Sequence, residues 1–338
     1  MNKIKFFISR AFRMDYQAMW QTTKLLKVRS GKSRIWLLCD MLYCALRYNA
    51  GYIDYKIAEF YKLNGAQRKT QITRGISNQI VKKMNPKGYW HFFDDKSEFN
   101  QLFSKEVNRK WIVVNEKTSL EDFENFLDHQ QAIIVKPLEG SSGQGIEKFT
   151  SECWQEKNHP AVFLSQLIAK GPYIAEEIVH QHPLLSAMSP TSVNTIRVAT
   201  LLGEKAQGIV YAFLRIGNGK IMDNVDCGGM AARVDLDSGK LLTVGADKQG
   251  NTFDVHPRTN TPIVGFTIPF WNEVKQMCLD ASQVVPQMGY IAWDVAVTPD
   301  GPCFIEGNSF PSHAVPQFAA HYPDGIGILL EFQKFIDI

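Results

Sequence analysis

The 338-residue chain carries 37 Lys+Arg against 34 Asp+Glu, a formal net charge of +3, and 45% of its residues are hydrophobic. That composition belongs to a globular protein with room for two or three cores, and the small net charge gives no whole-chain drive toward nucleic acid. Six scattered cysteines (Cys39, Cys44, Cys153, Cys227, Cys278 and Cys303) form no CxxC pair. They read as reduced thiols of a cytosolic protein, not as a disulfide frame or a zinc site.

Residues 1–90 read as a mainly helical region. Its start is basic, with Lys3, Lys5, Arg10, Arg13, Lys24, Lys27, Arg29, Lys32 and Arg34 facing one acid, Asp15. No long apolar run follows, so no signal peptide is expected. Residues 35–46 are the most apolar stretch, yet Asp40 interrupts them and they are too short to span a bilayer. The spacing of Ile35, Leu38, Cys39, Leu42 and Leu46 predicts an amphipathic helix that buries this face. The basic arm suits anionic lipid or a lipid-linked phosphate, or else a solvated face.

Beyond residue 90 the pattern predicts a short helix over 97–107 and a strand over 111–115. A capping box at Thr118-Ser119-Leu120-Glu121 opens a helix with Phe123, Phe126 and Leu127 inward. The β-branched run 132–136 is a strand that Pro137 closes. From residue 173 strands dominate, at 173–179, 194–202, 208–215, 230–236, 290–297 and 302–306, with one helix near 270–285. Asn218-Gly219 and Asp237-Ser238-Gly239 read as hairpin turns. This order predicts an α+β fold with antiparallel sheets.

Two stretches carry chemistry. At 135–146 a strand delivers Lys136, and a loop with Gly140, Ser141, Ser142, Gly143 and Gly145 follows at once. Glycines let backbone N–H groups approach phosphate oxygens closely. The loop is not a Walker A motif, because no Gly-Lys-Ser/Thr closes it. At 293–308 a hairpin sets Asp294 opposite Glu306, two residues before Asn308. A three-residue loop of Pro299, Asp300 and left-handed Gly301 is expected to fix that register. Two carboxylates and an amide, without His or Cys, suit Mg2+.

In this order the two motifs resemble the ATP-grasp superfamily. The resemblance implies a fold in which two α+β subdomains grip ATP, here preceded by the helical N-terminal region. It implies that Lys96 and Lys136 hold ATP phosphates, that the 140–145 loop covers them, and that Asp294, Glu306 and Asn308 hold Mg2+. The segment 173–178 is similar to the strand joining the two subdomains, where Glu176, Glu177 and the Ile178 backbone would meet the nucleoside. Which glutamate serves the nucleotide stays open. The expected division is 1–90, 91–177 and 178–338.

A narrower resemblance, to the sugar-transfer-associated ATP-grasp group, is carried by 192–198, by Asp223-Asn224 through Gly228-Gly229-Met230, by His256-Pro257 and by 268–271. It also covers Tyr55 and Phe60-Tyr61-Lys62-Leu63. It implies an ATP- and Mg2+-dependent, ADP-forming carboxylate–amine ligase acting through an acyl phosphate on a surface-polysaccharide precursor. It further implies carboxylate and amine substrates, some glycan-linked, no nucleic acid, and a cytoplasmic location with contact at the inner membrane face. A sugar kinase and a silent nucleotide-binding scaffold are the alternatives. Arg197, mid-strand among apolar residues, needs an anionic partner: the transferred phosphoryl group, or Glu176 or Asp226 in a salt bridge. Asn194 is a weaker catalytic candidate. Asp226 and His313 are candidate bases for the kinase, and His180 could reach a ribose.

Overall fold

The computed structural model describes residues 15–140, 143, 145–155 and 159–338. Ser141 and Ser142 of the glycine-rich loop lie outside them. All named strand pairs are antiparallel. The first sheet holds β1 (Trp111–Val114), β2 (Ala132–Pro137), β3 (Glu147–Thr150) and β4 (Tyr173–Glu177) in the order β1-β4-β2-β3. Helices Leu120–Leu127 and Pro160–Lys170 cover one face, burying Phe123, Phe126, Phe163 and Leu167 against Ile133 and Val135. The first of these helices is capped one residue later than the sequence suggests. Ser119, not Thr118, accepts the Asp122 amide at 3.0 Å, while Thr118 is spent on the Val113 carbonyl.

The second sheet contains β5 (Ile196–Leu202), β6 (Gln207–Ile216), β7 (Met230–Arg233), β8 (Gly245–Ala246), β9 (Thr252–Phe253), β10 (Tyr290–Thr298) and β11 (Gly301–Asn308). Its order is β11-β10-β5-β6-β7-β8-β9, so β10 and β5 are interior strands, and they are buried almost throughout. Helix Trp271–Ser282 covers one face, and residues 72–84 with the C-terminal segment cover the other. Asn218-Gly219 is not a hairpin turn. β6 pairs with β7 through Ile216↔Met230, and the intervening 217–229 leave the sheet as a longer connection.

Two further expectations change. The short helices over 91–107 insert Phe93, Phe99 and Phe103 against Trp293 and Phe304. They therefore side with the core of the second sheet, not with the first subdomain assigned to 91–177. Helix Arg34–Tyr48 buries Leu37, Met41 and Cys44 against Met19, Leu26, Tyr55 and Phe60. Ile35, Cys39, Leu42 and Leu46, expected inside, are exposed. The helix is apolar nearly all round, so spacing alone could not tell its two faces apart.

Candidate active site

The metal-type hairpin is formed by β10 and β11, with Asp294 paired to Glu306 as the sequence requires. The register arises differently. Thr298 pairs with Gly301 around a two-residue loop, and Gly301 sits at φ 134°, outside the left-handed helical well. Val295 pairs with Phe304 and Asp294 with Glu306, so Ile305 is the extra residue of a β-bulge. The one-residue offset expected in the turn is thus supplied at the bulge, beside the functional pair. Between the two candidate ligands, Gly307 faces the opposite side. A Cβ there would stand 2.7 Å from Phe93 and 2.8 Å from Phe99, so only glycine lets the aromatic core reach this strand.

Asp294 is fully buried on the central strand. Its cross-strand neighbours are Arg197 on β5 and Glu306 on β11, which puts the three in one row across the sheet. Arg197 donates to both Asp294 oxygens at 2.6 Å, and Arg215 donates to Oδ2 at 2.6 Å. The anionic partner of Arg197 is therefore Asp294, not Glu176 or Asp226. Burial would raise the Asp294 carboxyl, but the two arginines hold it well below the usual range. Glu306 behaves oppositely. Burial and the neighbouring Asp294 charge push its carboxyl up. Asn308 donates through Nδ2 to the Ala292 carbonyl at 3.1 Å, and no hydrogen bond among the described residues occupies its Oδ1. Asp294 is occupied by the two arginines and by a side-chain contact with Glu306. The oxygens that could meet a cation are those of Glu306 and Oδ1 of Asn308, with the Asp294 charge beside them, a hard-oxygen set that fits Mg2+.

A cleft of about 420 Å³ lies between the sheets and brings the other candidates together. Lys96, Lys136, Gly140, Gly143, Glu176, Glu177, Ile178 and Glu306 all border it, while Gly145 does not. Lys136 donates to Glu176 at 2.5 Å. The other Glu176 oxygen accepts from Arg109 at 3.0 Å and from Asn100 at 2.7 Å. Burial favours the neutral acid, yet Arg109 and Lys136 keep Glu176 ionised far below the usual range. Glu176 thus anchors the lysine from beneath. Arg109 also donates to the Phe304 carbonyl of β11, tying the two sheets together at the base of the cleft. Burial pulls the Lys96 amine below its usual range, and its Nζ lies 3.2 Å from the Gly140 carbonyl. The β4 ladder ends at Glu177. Beyond it, no hydrogen bond among the described residues engages the peptide groups of Ile178 and Val179, which line the cleft and are open to a ligand edge. At φ +75°, Gly143 approaches Met222 so closely that a Cβ would lie 2.4 Å from its sulfur. Gly143 therefore lies against the 217–229 connection of the second sheet.

Other candidates lie elsewhere. Asn194 is fully buried, with Nδ2 donating to Gln181, Leu185 and Ser189 and Oδ1 accepting from Gly217. It has no atom left for a substrate and acts as a strut for the loop before β5. His313 bonds Asp54 in the N-terminal region at 2.7 Å, and Asp226 pairs with Lys248, both away from the cleft. His180 does border it. Sequence reasoning missed Arg109, Arg215 and Asn100. It treated Asp223 only as part of a resemblance, yet Asp223 accepts from the Thr195 amide and hydroxyl and lies 3.4 Å from Arg215. The one sequence signal for Arg215 is a charge inside the apolar β6 run, the same signal that drew attention to Arg197.

Two antiparallel sheets closing on lysines, a glycine-rich loop and an oxygen-ligand hairpin define an ATP-grasp protein. More narrowly, the chain belongs to the sugar-transfer-associated ATP-grasp family, whose sequence pattern matches residues 76–325. No curated protein matches the sequence. Among solved structures it is similar to the D-cycloserine synthetase DcsG, at 12% identity and TM-score 0.44, covering 77% of each chain. It is similar to the VanG D-Ala:D-Ser ligase from Enterococcus faecalis, at 13% identity and TM-score 0.42, covering 71% of this chain and 60% of that one. It is also similar to the ATP-grasp ligase PsnB bound to a phosphomimetic variant of its minimal precursor, Mg and ADP, at 14% identity and TM-score 0.40. That match covers 68% of this chain, which spans about half the length of PsnB, 53%.

Proposed function

We propose that the cleft takes ATP with Mg2+ and activates a carboxylate for attack by an amine. The observation that carries this reading is the convergence of Lys96, Lys136 and Glu306 on one cleft of a chain in the ATP-grasp family. One half of the grip is the four-stranded sheet with its glycine-rich loop. The other is the seven-stranded sheet with Asp294, Glu306 and Asn308. Lys136, held by Glu176, and Lys96 meet the α- and β-phosphates, and the 140–145 loop covers the γ-phosphate. The free peptide groups of Ile178 and Val179 meet the purine edge. Mg2+ at Glu306 and Asn308, with the Asp294 charge beside it, would neutralise charge developing on the phosphates.

A substrate carboxylate oxygen bonds to the γ-phosphorus while the bond to the β–γ bridging oxygen breaks, giving an acyl phosphate and ADP. An amine nitrogen then bonds to the acyl carbon, phosphate leaves with the bonding pair, and the nitrogen loses a proton. Arg215, at the cleft wall, stabilises the transferred group, and Arg197 acts one step back by fixing Asp294. The cover loop excludes the water that would otherwise hydrolyse the acyl phosphate. The family's description as sugar-transfer-associated supports a glycan precursor as one substrate, for example an amino acid joined to a uronic acid. The kinase alternative loses support, because its candidate bases Asp226 and His313 are paired away from the cleft.

The test is hydroxylamine trapping with Mg2+-ATP and a panel of amino acids, uronic acids and glycan-linked carboxylates, with ADP followed in parallel. A hydroxamate formed with ADP from one carboxylate is the expected result, lost in Glu306→Ala. A phosphorylated sugar with ADP and no hydroxamate would replace the ligase with the kinase.

A further inference from the structure

The N-terminal helical hairpin carries a surface that the ATP-binding reading does not use. Ten of the 21 exposed large apolar side chains among the described residues fall within residues 16–53. The density there is several times that of the remaining chain, so chance scatter does not account for it.

Helix Arg34–Tyr48 explains the concentration. Its inward face is Leu37, Met41 and Cys44. At 100° per residue its outward half runs through Leu38, Leu42, Ile35, Leu46, Cys39 and Tyr43 to Trp36 without one charged residue. Ile35 is 73% exposed and Leu46 67%. A helix that is apolar all round is stable only when both sides are covered, by protein or by lipid. Helix Tyr16–Ser30 adds Trp20, Leu25 and Val28, the last 85% exposed, interleaved with exposed Lys24 and Lys27. Arg34 stacks over Trp20 at 3.6 Å and Lys32 over Trp36 at 3.9 Å.

The charge around this face is predominantly positive. Residues 15–53 contain six Lys or Arg and two acids: Asp40, which Arg68 and Tyr55 occupy, and Asp15, which caps helix Tyr16–Ser30 by accepting from the Ala18 amide. The preceding residues 1–14, outside the described part, add Lys3, Lys5, Arg10 and Arg13 and no acid. No described helix is long and apolar enough to cross a membrane. Apolar side chains, Trp and Tyr at the boundary, and flanking Lys and Arg are what a helix needs to lie in the plane of an anionic bilayer surface. A second protein copy would gain little from this mainly positive charge, since mostly like charges would meet across a two-fold interface.

We propose that the hairpin formed by helices Tyr16–Ser30 and Arg34–Tyr48 docks the protein on an anionic lipid surface, with Ile35, Leu42 and Leu46 entering the acyl boundary. The test is sedimentation of the full chain with phosphatidylglycerol/phosphatidylcholine vesicles and with pure phosphatidylcholine vesicles, alongside analytical ultracentrifugation without lipid. Binding to the anionic vesicles should exceed binding to the neutral ones at least tenfold and weaken with salt. Leu42→Glu/Leu46→Glu should lower it at least tenfold. Lys24→Glu/Lys27→Glu should do the same, since one basic residue near such a surface is worth about fivefold in partition. Both variants change exposed positions and should keep the wild-type melting temperature, which separates lost docking from lost fold. Failure of the wild type to bind, or binding untouched by Leu42→Glu/Leu46→Glu, would overturn the proposal. A dimer that this variant dissociates, without vesicle binding, would assign the face to a second copy instead.

Discussion

Replacing Glu176 with Gln isolates the electrostatics at the base of the cleft. The side chain is nearly isosteric, so packing is kept and only charge is lost. Glu176 is 2% exposed and is shared by Lys136 at 2.5 Å, Arg109 at 3.0 Å and Asn100 at 2.7 Å. The variant leaves two buried cations without their common anion. Removing one partner of a buried pair costs about 3–5 kcal/mol, far above the cost of a surface pair. At roughly 2 °C per kcal/mol for a chain of this size, the melting temperature should fall by roughly 6–10 °C. The acid limb should change too. Because the folded-state carboxyl is depressed, its contribution is complete above the unfolded value, about pH 4.3, and fades as pH falls toward the folded one. Glu176→Gln should therefore lose less stability on acidification than the wild type. Urea titrations at pH 7 and pH 4 measure both effects. Lys136→Met/Glu176→Gln should recover at least about 1 kcal/mol of the loss, because it removes one of the stranded cations. A loss below about 1 kcal/mol at pH 7, or strict additivity of the two changes, would show that Glu176 does not serve as the common anion of Lys136 and Arg109.

Four other outcomes follow from the structure. Asp294→Asn should destabilise by about 3 kcal/mol, because Arg197 and Arg215 lose their anion. Glu306→Gln should stay within about 0.5 kcal/mol or gain, because it relieves a like-charge contact; chemical denaturation of the two compares them directly. Gly307→Ala should cost about 1–3 kcal/mol by forcing a methyl into Phe93 and Phe99, with a matching loss of near-UV circular dichroism from the aromatic cluster. His321 is fully buried, and burial lowers its value to about 4. The unfolded chain takes up a proton near pH 6.5 and the folded one does not, so stability should fall by about 3 kcal/mol between pH 6.5 and 4, a slope that His321→Gln should flatten.

The parts of the candidate site legible in the sequence are those whose residues are neighbours along the chain. Lys136 with the following glycines, and Asp294 with Glu306 and Asn308, each sit within one hairpin or one strand-loop unit. Local turn chemistry and the two-residue strand period suffice to group them. Even there a one-residue bulge at Ile305 took the place of the expected three-residue turn, because either device gives the same register. The supporting charges were not legible. Arg109, Arg215 and Asn100 reach Glu176 or Asp294 only through pairings between segments 67–79 residues apart. Asn194 was misread because its neighbours along the chain do not reveal that Gln181, Leu185, Ser189 and Gly217 saturate its amide. The inward face of helix Arg34–Tyr48 was equally hidden, since a sequence apolar on both sides contains two competing stripes.

The ATP-grasp reading has nucleotide and divalent cation meet at Glu306 and Asn308, as proposed above. Isothermal titration of ATP in Mg2+ and in EDTA, with the wild type and with Glu306→Ala/Asn308→Ala, tests it most directly. Mg2+ should raise ATP affinity at least tenfold in the wild type, and the variant should bind equally weakly with and without Mg2+. Wild-type binding indifferent to Mg2+, or a full Mg2+ response in the variant, would contradict it.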